Sequence, residues 1–221
     1  VNVLSLEMID GLNNILSKFD KNKYCDGYII TSNVPKSRRG MDKLPIFSPG
    51  YDLSLMRKKD RALTKRYFFA LQKLDYLQNI SSKPMIAALN GATIAGGALL
   101  ALRCDYRLMF DDCFISMNEV KNGIKFRDNS IFKFIKRFTG SDNRAVYVLQ
   151  TGKSFYGKEA KEYGLIDKCV KNRDMKQLLS QSLNVLENEY FMAEKEAAAI
   201  ARKSGREDII KDYRDYTDED A

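Results

Sequence analysis

Glu119 stands in the segment Met117-Asn-Glu-Val-Lys-Asn-Gly123, downstream of a long small-residue run, Lys83-Pro-Met-Ile-Ala-Ala-Leu-Asn-Gly-Ala-Thr-Ile-Ala-Gly-Gly-Ala-Leu-Leu100. Small residues that open a helix beside a strand end present backbone N–H groups, and such groups can hold a developing oxyanion. One carboxylate nearby can move a proton on the carbon next to a carbonyl. The pair of features points to proton transfer through an enolate. Two plainer readings stand beside it. Gly96-Gly97 also suits tight packing of a helix on a strand, and Glu119 also reads as a surface carboxylate before a turn at Asn122-Gly123.

Other chemistry is narrowed by what the chain lacks. It has no histidine, and Cys25, Cys104, Cys113 and Cys169 form no C-x-x-C pair. Common zinc sites and Ser-His or Cys-His catalytic pairs are therefore excluded, and no metal site is expected. Acid–base work falls to carboxylates, lysines or tyrosines. Four unpatterned cysteines fit a reducing compartment.

The elements that must position these residues follow from periodicity. Apolar residues at helical spacing predict a helix over 5–19, and Gly27-Tyr-Ile-Ile-Thr31 reads as a buried strand. Residues 33–50, with three prolines and two glycines, are expected to form a loop. A helix is predicted over 54–79, a strand over 85–89, a helix over 97–103, and strands over 106–110 and 114–117. Helices follow at 132–138, 143–150 and 157–163, the last ended by Gly164, then a strand at 166–170 and helix through 174–216. Alternating strands and helices argue for parallel βαβ units with a helical extension.

At 221 residues the chain suits one α/β domain with an appendage. Its longest apolar stretch, 85–102, is interrupted by Asn90, Gly91, Thr93, Gly96 and Gly97, so it reads as core and no bilayer span is expected. The formal net charge of +8 gathers most densely at Lys36-Ser-Arg-Arg39, Arg57-Lys-Lys-Asp-Arg61 and 133–137. Such patches suit phosphates, an acidic protein or RNA, but none interleaves aromatics in a recognisable nucleic-acid pattern, so no nucleic-acid partner is expected. No signal or transit pattern opens the chain and no peroxisomal tripeptide closes it. Because the first helix starts almost at once, a segment upstream of Val1 is expected.

Several segments together carry a resemblance. These are Val3-Leu-Ser-Leu-Glu-Met-Ile9 with Gly27-Tyr-Ile-Ile-Thr-Ser32, the loop Phe47-Ser-Pro-Gly-Tyr-Asp-Leu53, and Asn90-Gly-Ala-Thr-Ile-Ala-Gly-Gly-Ala-Leu99 running on to Asn118-Glu119. A further segment, 152–167, ends in Gly-Leu-Ile-Asp. Over residues 3–170 the chain resembles the crotonase (enoyl-CoA hydratase/isomerase) family.

The resemblance implies an α/β, crotonase-like spiral of βαβ units. Residues 1–170 would form the core, without the family's N-terminal strand, and 171–221 a C-terminal helical region of the kind that supports trimers. It implies an oxyanion hole made by the amides of Tyr51 and Gly96, with Gly96 a glycine because the acyl chain approaches the backbone closely. Glu119 would be the proton shuttle, with Pro49, Gly50, Asp52, Leu53, Leu99 and Asn118 binding substrate. Leu99 decides the reaction. Hydratases of the family carry a glutamate there and a second where Glu119 stands, twenty residues on. With Leu99 apolar, the implied reaction is isomerisation of 3-enoyl-CoA to trans-2-enoyl-CoA in fatty-acid β-oxidation. It needs no cofactor beyond the CoA thioester substrate. The implied assembly is a homotrimer and the implied location the mitochondrial matrix.

A rival from another class is a crotonase-fold structural subunit of a larger mitochondrial assembly. It draws on the surplus of Lys and Arg, the long stretch 34–46, and Lys125-Phe-Arg-Asp128, where the family lines its acyl tunnel with apolar residues. On that reading Lys125 and Arg127 block the pocket, since a buried unpaired charge is costly.

Overall fold

A computed structural model describes residues 2–33, 45–124, 130–171 and 173–190, with single positions at 200, 204 and 206. In chain order the elements are α1 (Leu6–Phe19), β1 (Tyr28–Ile30), β2 (Ile46–Ser48), α2 (Leu53–Arg57), α3 (Arg61–Ile80), β3 (Met85–Leu89), β4 (Ala92–Ile94) and α4 (Gly96–Leu102). There follow β5 (Tyr106–Phe110), β6 (Phe114–Ser116), a 3-10 turn (Glu119–Asn122), α5 (Ser130–Thr139), α6 (Asp142–Thr151), β7 (Phe155–Tyr156), α7 (Gly157–Glu162), β8 (Lys168–Val170), α8 (Met175–Val185) and a π turn (Leu186–Tyr190). No helix among the described residues is long and apolar enough to cross a membrane.

The strands form two four-stranded sheets, ordered β1-β3-β5-β8 and β2-β4-β6-β7. Each repeat places one strand in the first sheet, the next in the second, and then turns into helix. β3, β5 and β8 run parallel, as do β2, β4 and β6, while β7 closes the second sheet antiparallel to β6. Strands buried on both faces read as continuous apolar runs, and every residue of β3 is buried. The fold is the expected crotonase-like spiral, and its repeat is strand–strand–helix.

The crossing from one sheet to the other at Asn90-Gly91 explains both residues. Asn90 is buried; its Oδ1 accepts from the Ser32 hydroxyl at 2.7 Å and its Nδ2 donates to the Ser32 carbonyl at 2.7 Å. A Cβ at Gly91 would lie 2.5 Å from the Pro45 carbonyl oxygen and 2.7 Å from the Phe47 nitrogen. Both obstacles are backbone, so no rotamer relieves them. Gly91→Ala is expected to lose about 3 kcal/mol of stability, the upper end for overpacking, measurable by denaturant titration. An unchanged midpoint would mean that β2 yields freely.

Three of the expected elements change on folding. The loop expected over 33–50 holds β2, and the stretch between the expected strand at 85–89 and helix at 97–103 holds β4. Strands of three residues are too short to show a period of two. The helix expected over 54–79 is two helices, since Lys59 takes a left-handed φ of 54° and the Asp60 carboxylate caps α3 by accepting from the Leu63 N–H at 3.0 Å.

The chain divides into two compact units, each discontinuous in sequence. The first holds residues 1–3, 29–51 and 86–182. There Arg107 of β5 is pinned: its guanidinium donates to Asp167 at 2.7 Å and to the Cys104 carbonyl at 2.9 Å, and lies 5.0 Å from the Phe138 ring centroid. The second holds residues 4–28, 52–85 and 183–221. Its buried apolar residues include Ile9 and Leu16 of α1 and Leu71 and Leu74 of α3. Asn13 donates to the Ala70 carbonyl at 3.0 Å, and the Tyr67 hydroxyl donates to the Leu4 carbonyl at 2.7 Å.

Candidate active site

Three adjacent parallel strands place the candidate residues. β4 lies between β2 and β6, and neighbouring strands sit about 4.8 Å apart. Tyr51 follows the end of β2 by three residues, Gly96 follows β4 by two, and Glu119 follows β6 by three. All three therefore emerge at the carboxyl ends of their strands, where α/β sheets bind ligands. Gly96 is central, with Tyr51 on one side and Glu119 on the other.

Ala95 makes the turn from β4 into α4. It takes φ 51° and ψ −120°, sparsely populated for a residue with a Cβ, and strain of this kind costs about 1–3 kcal/mol. Two hydrogen bonds hold it: its N–H donates to the Ser116 carbonyl at 2.8 Å, and its carbonyl accepts from the Leu99 N–H at 3.0 Å. Facing it, Gly50 takes φ 95°, and a Cβ there would lie 2.8 Å from the Gly96 nitrogen. The Ser48 hydroxyl accepts from the Gly50 N–H at 3.2 Å and fixes that loop. The loop and the helix start thus meet backbone to backbone. Sequence patterns had not singled out Ala95 or Ser48; a strand–turn–helix with β4 recognised would have pointed to both.

The paired glycines divide between the two readings of that dipeptide. A Cβ at Gly97 would lie 2.7 Å from the Ser48 carbonyl oxygen, so Gly97 serves close packing of α4 on β2. A Cβ at Gly96 meets neighbours of a different kind: the nearest atoms are ring carbons of Tyr51, with Cζ at 2.9 Å. Leu99 follows Gly96 by three residues on α4, so the two share a helix face, and Leu99 is buried.

Glu119 opens the 3-10 turn after β6 and is 5% exposed, so it is not a surface carboxylate. The turn at Asn122-Gly123 does form, with Gly123 in the left-handed region. The end of α6 packs on this turn: a Cβ at Gly152 would lie 3.1 Å from the Asn118 Cα, and the Gly152 carbonyl accepts from the Ser116 hydroxyl at 3.2 Å. Burial pushes the Glu119 carboxyl above the usual range, opposed in part by its own backbone N–H. Among the described residues its Oε2 has no hydrogen-bond partner. A buried carboxylate oxygen left without a hydrogen bond is costly, and this one is open to accept a proton.

The other expected substrate-binding residues have mixed placements. Pro49 and Asn118 are half-buried, Asn118 at the start of the Glu119 turn. The Asp52 carboxylate caps α2, accepting from the Ser54 and Leu55 N–H groups at 3.0 and 3.2 Å, and the Ser54 hydroxyl hydrogen bond holds its pKa down. Capping alone accounts for an aspartate there. Leu53 begins α2. Lys125 and Arg127 lie outside the described residues, as does most of 34–46. Among the described residues no three His, Cys, Asp or Glu side chains gather to hold a metal.

A family model described as enoyl-CoA hydratase/isomerase matches residues 1–211. The chain belongs to the enoyl-CoA hydratase/isomerase family. This family member is 36% identical over 176 residues to enoyl-CoA delta isomerase 1, mitochondrial, of Rattus norvegicus, a match covering 77% of this chain and 56% of the rat protein. It is 34% identical over 177 residues to the Homo sapiens protein of the same name, covering 77% and 53%. The chain thus spans about half the length of these relatives. Among solved structures, the human mitochondrial delta3-delta2-enoyl-CoA isomerase superposes with a TM-score of 0.77 at 29% identity, covering 100% of this chain and 84% of that one. A probable enoyl-CoA hydratase of Mycobacterium tuberculosis superposes with a TM-score of 0.82 at 22% identity, covering 97% and 84%, a likeness of fold alone.

Proposed function

We propose that this family member isomerises 3-enoyl-CoA to trans-2-enoyl-CoA with a single carboxylate. The observation that carries the reading is Glu119, buried with an unpartnered oxygen at the end of β6, beside the strand that leads into Gly96. In the proposed reaction the Glu119 carboxylate takes a proton from C2 of the thioester. The electron pair moves onto the carbonyl oxygen, held by the amides of Tyr51 and Gly96, and the protonated Glu119 returns its proton to C4. Each oxyanion donor of this type contributes about 3–4 kcal/mol. Leu99 keeps an apolar wall where a second carboxylate would hold water. The reaction as proposed needs no metal or redox cofactor.

On the likeness to the rat and human isomerases, the proposed setting is fatty-acid β-oxidation in the mitochondrial matrix, and the proposed assembly a homotrimer. The rival reading, a structural subunit, rests on the surplus of basic residues and on segments that lie mostly outside the described residues.

The test is an assay of purified protein with 3-hexenoyl-CoA, which is expected to yield trans-2-hexenoyl-CoA. No shift of the double bond in bound substrate would end the proposal. The pH profile adds a second check. Glu119 acts as a base only when ionised, and burial raises its pKa. The kcat/KM is therefore expected to fall as pH drops, along a limb lying above the ordinary glutamate value of about 4.3. A limb at or below that value would mean that a solvated carboxylate does the work.

A further inference from the structure

The side chain of Tyr51 does something its amide does not. All three of the nearest neighbours that a Cβ on Gly96 would meet are carbons of the Tyr51 ring. The ring therefore lies flush over the Gly96 α-carbon, and nothing the size of a methyl group fits between them. Just before Tyr51, the left-handed Gly50 brings the loop so close to the helix start that a Cβ there would meet the Gly96 nitrogen at 2.8 Å. Beside it, α4 lies so close on β2 that a Cβ at Gly97 would meet the Ser48 carbonyl oxygen at 2.7 Å.

Strand order gives this contact a chemical direction. Tyr51 leaves β2, Glu119 leaves β6, and Gly96 leaves β4 between them. A carbonyl oxygen shared by the Tyr51 and Gly96 amides sets the carbonyl carbon about 1.2 Å beyond itself. In the proposed reaction the next carbon, C2, would then have one substituent toward the β6 side and another toward the β2 side. The proton to be removed must face Glu119, so the second substituent faces the Tyr51 ring. A hydrogen fits there. A methyl needs about 3.5–4 Å to the nearest ring carbon, space the ring already fills.

We infer that the Tyr51 ring is a specificity-determining wall that admits acyl thioesters unbranched at C2 and rejects those carrying a methyl on that carbon. This rests on the proposed function, and on the ring's placement over Gly96.

Calorimetry with two non-reactive thioesters, butanoyl-CoA and 2-methylpropanoyl-CoA, tests it without turnover. The wild type is expected to bind the straight chain at least about tenfold more tightly, the scale on which a pocket discriminates one methyl group. Tyr51→Ala, which keeps the backbone amide, is expected to bring the two affinities together by strengthening binding of the branched ligand. Tyr51→Phe keeps the ring and is expected to keep the preference. Equal binding by the wild type overturns the wall, as does a preference that survives in Tyr51→Ala. Those results leave the proposed reaction standing. If neither thioester binds the wild type, the proposed function fails and the wall with it. If Tyr51→Ala does not fold, Tyr51→Leu supplies the comparison, and the wild-type ratio alone can still overturn the wall.

Discussion

Glu119→Gln is expected to lower the isomerase rate by at least about 100-fold, the usual loss for a positioned general base, while the protein still folds. The amide matches the carboxylate in shape but cannot take the proton from C2. Glu119 is the carboxylate that the fold buries at the end of β6, next to the strand that leads into Gly96. The exchange also leaves a mark that is independent of turnover. Burial holds the native pKa of Glu119 above its unfolded value, so the native state binds the proton more tightly. Wild-type stability from this group therefore rises as pH falls through the native pKa, and is lost again as pH climbs. Glutamine does not titrate, so that component of the pH–stability curve is expected to vanish in the variant. A variant that isomerises at the wild-type rate would remove Glu119 from the mechanism. A pH–stability curve unchanged by the substitution would show that the carboxyl is solvated.

Hydration of trans-2-hexenoyl-CoA by the wild type is expected to be at least about 100-fold slower than isomerisation of 3-hexenoyl-CoA. Adding water across the double bond requires a second polar group to hold and activate it, and an acid–base group of this kind typically contributes about 10²–10⁴ in rate. Where the family's hydratases carry that group, this chain has Leu99, one helical turn from Gly96 on the same face of α4 and 3% exposed. An apolar side chain there offers water no acceptor and favours its exclusion. Measuring both reactions on one preparation gives the ratio directly. Comparable rates would mean that another polar group has taken the position assigned to the missing carboxylate, and that Leu99 does not line the reacting end of the pocket.

Much of this was readable in the residues themselves. The family likeness, the paired glycines, Glu119 and the apolar Leu99 are statements about residue type and order. The longer periodic elements were legible too, since α1, α5 and α6 are each ten or more residues long and bury one face. What escaped was short or relational. β2 and β4 span three residues each and carry no period, yet they set the strand order that puts Tyr51, Gly96 and Glu119 side by side. The strained φ of Ala95 has no signature in an alanine. Gly96 shows most clearly what tertiary structure alone decided. Its lack of a side chain is expected to let an acyl chain approach the backbone, and in the fold the place of its missing Cβ lies against the ring of Tyr51. The sequence by itself determined which groups could do the chemistry. Only the packing of β2 against β4 decided what stands over them, because the nearest neighbour of Gly96 lies forty-five residues away along the chain and is brought there by the sheet.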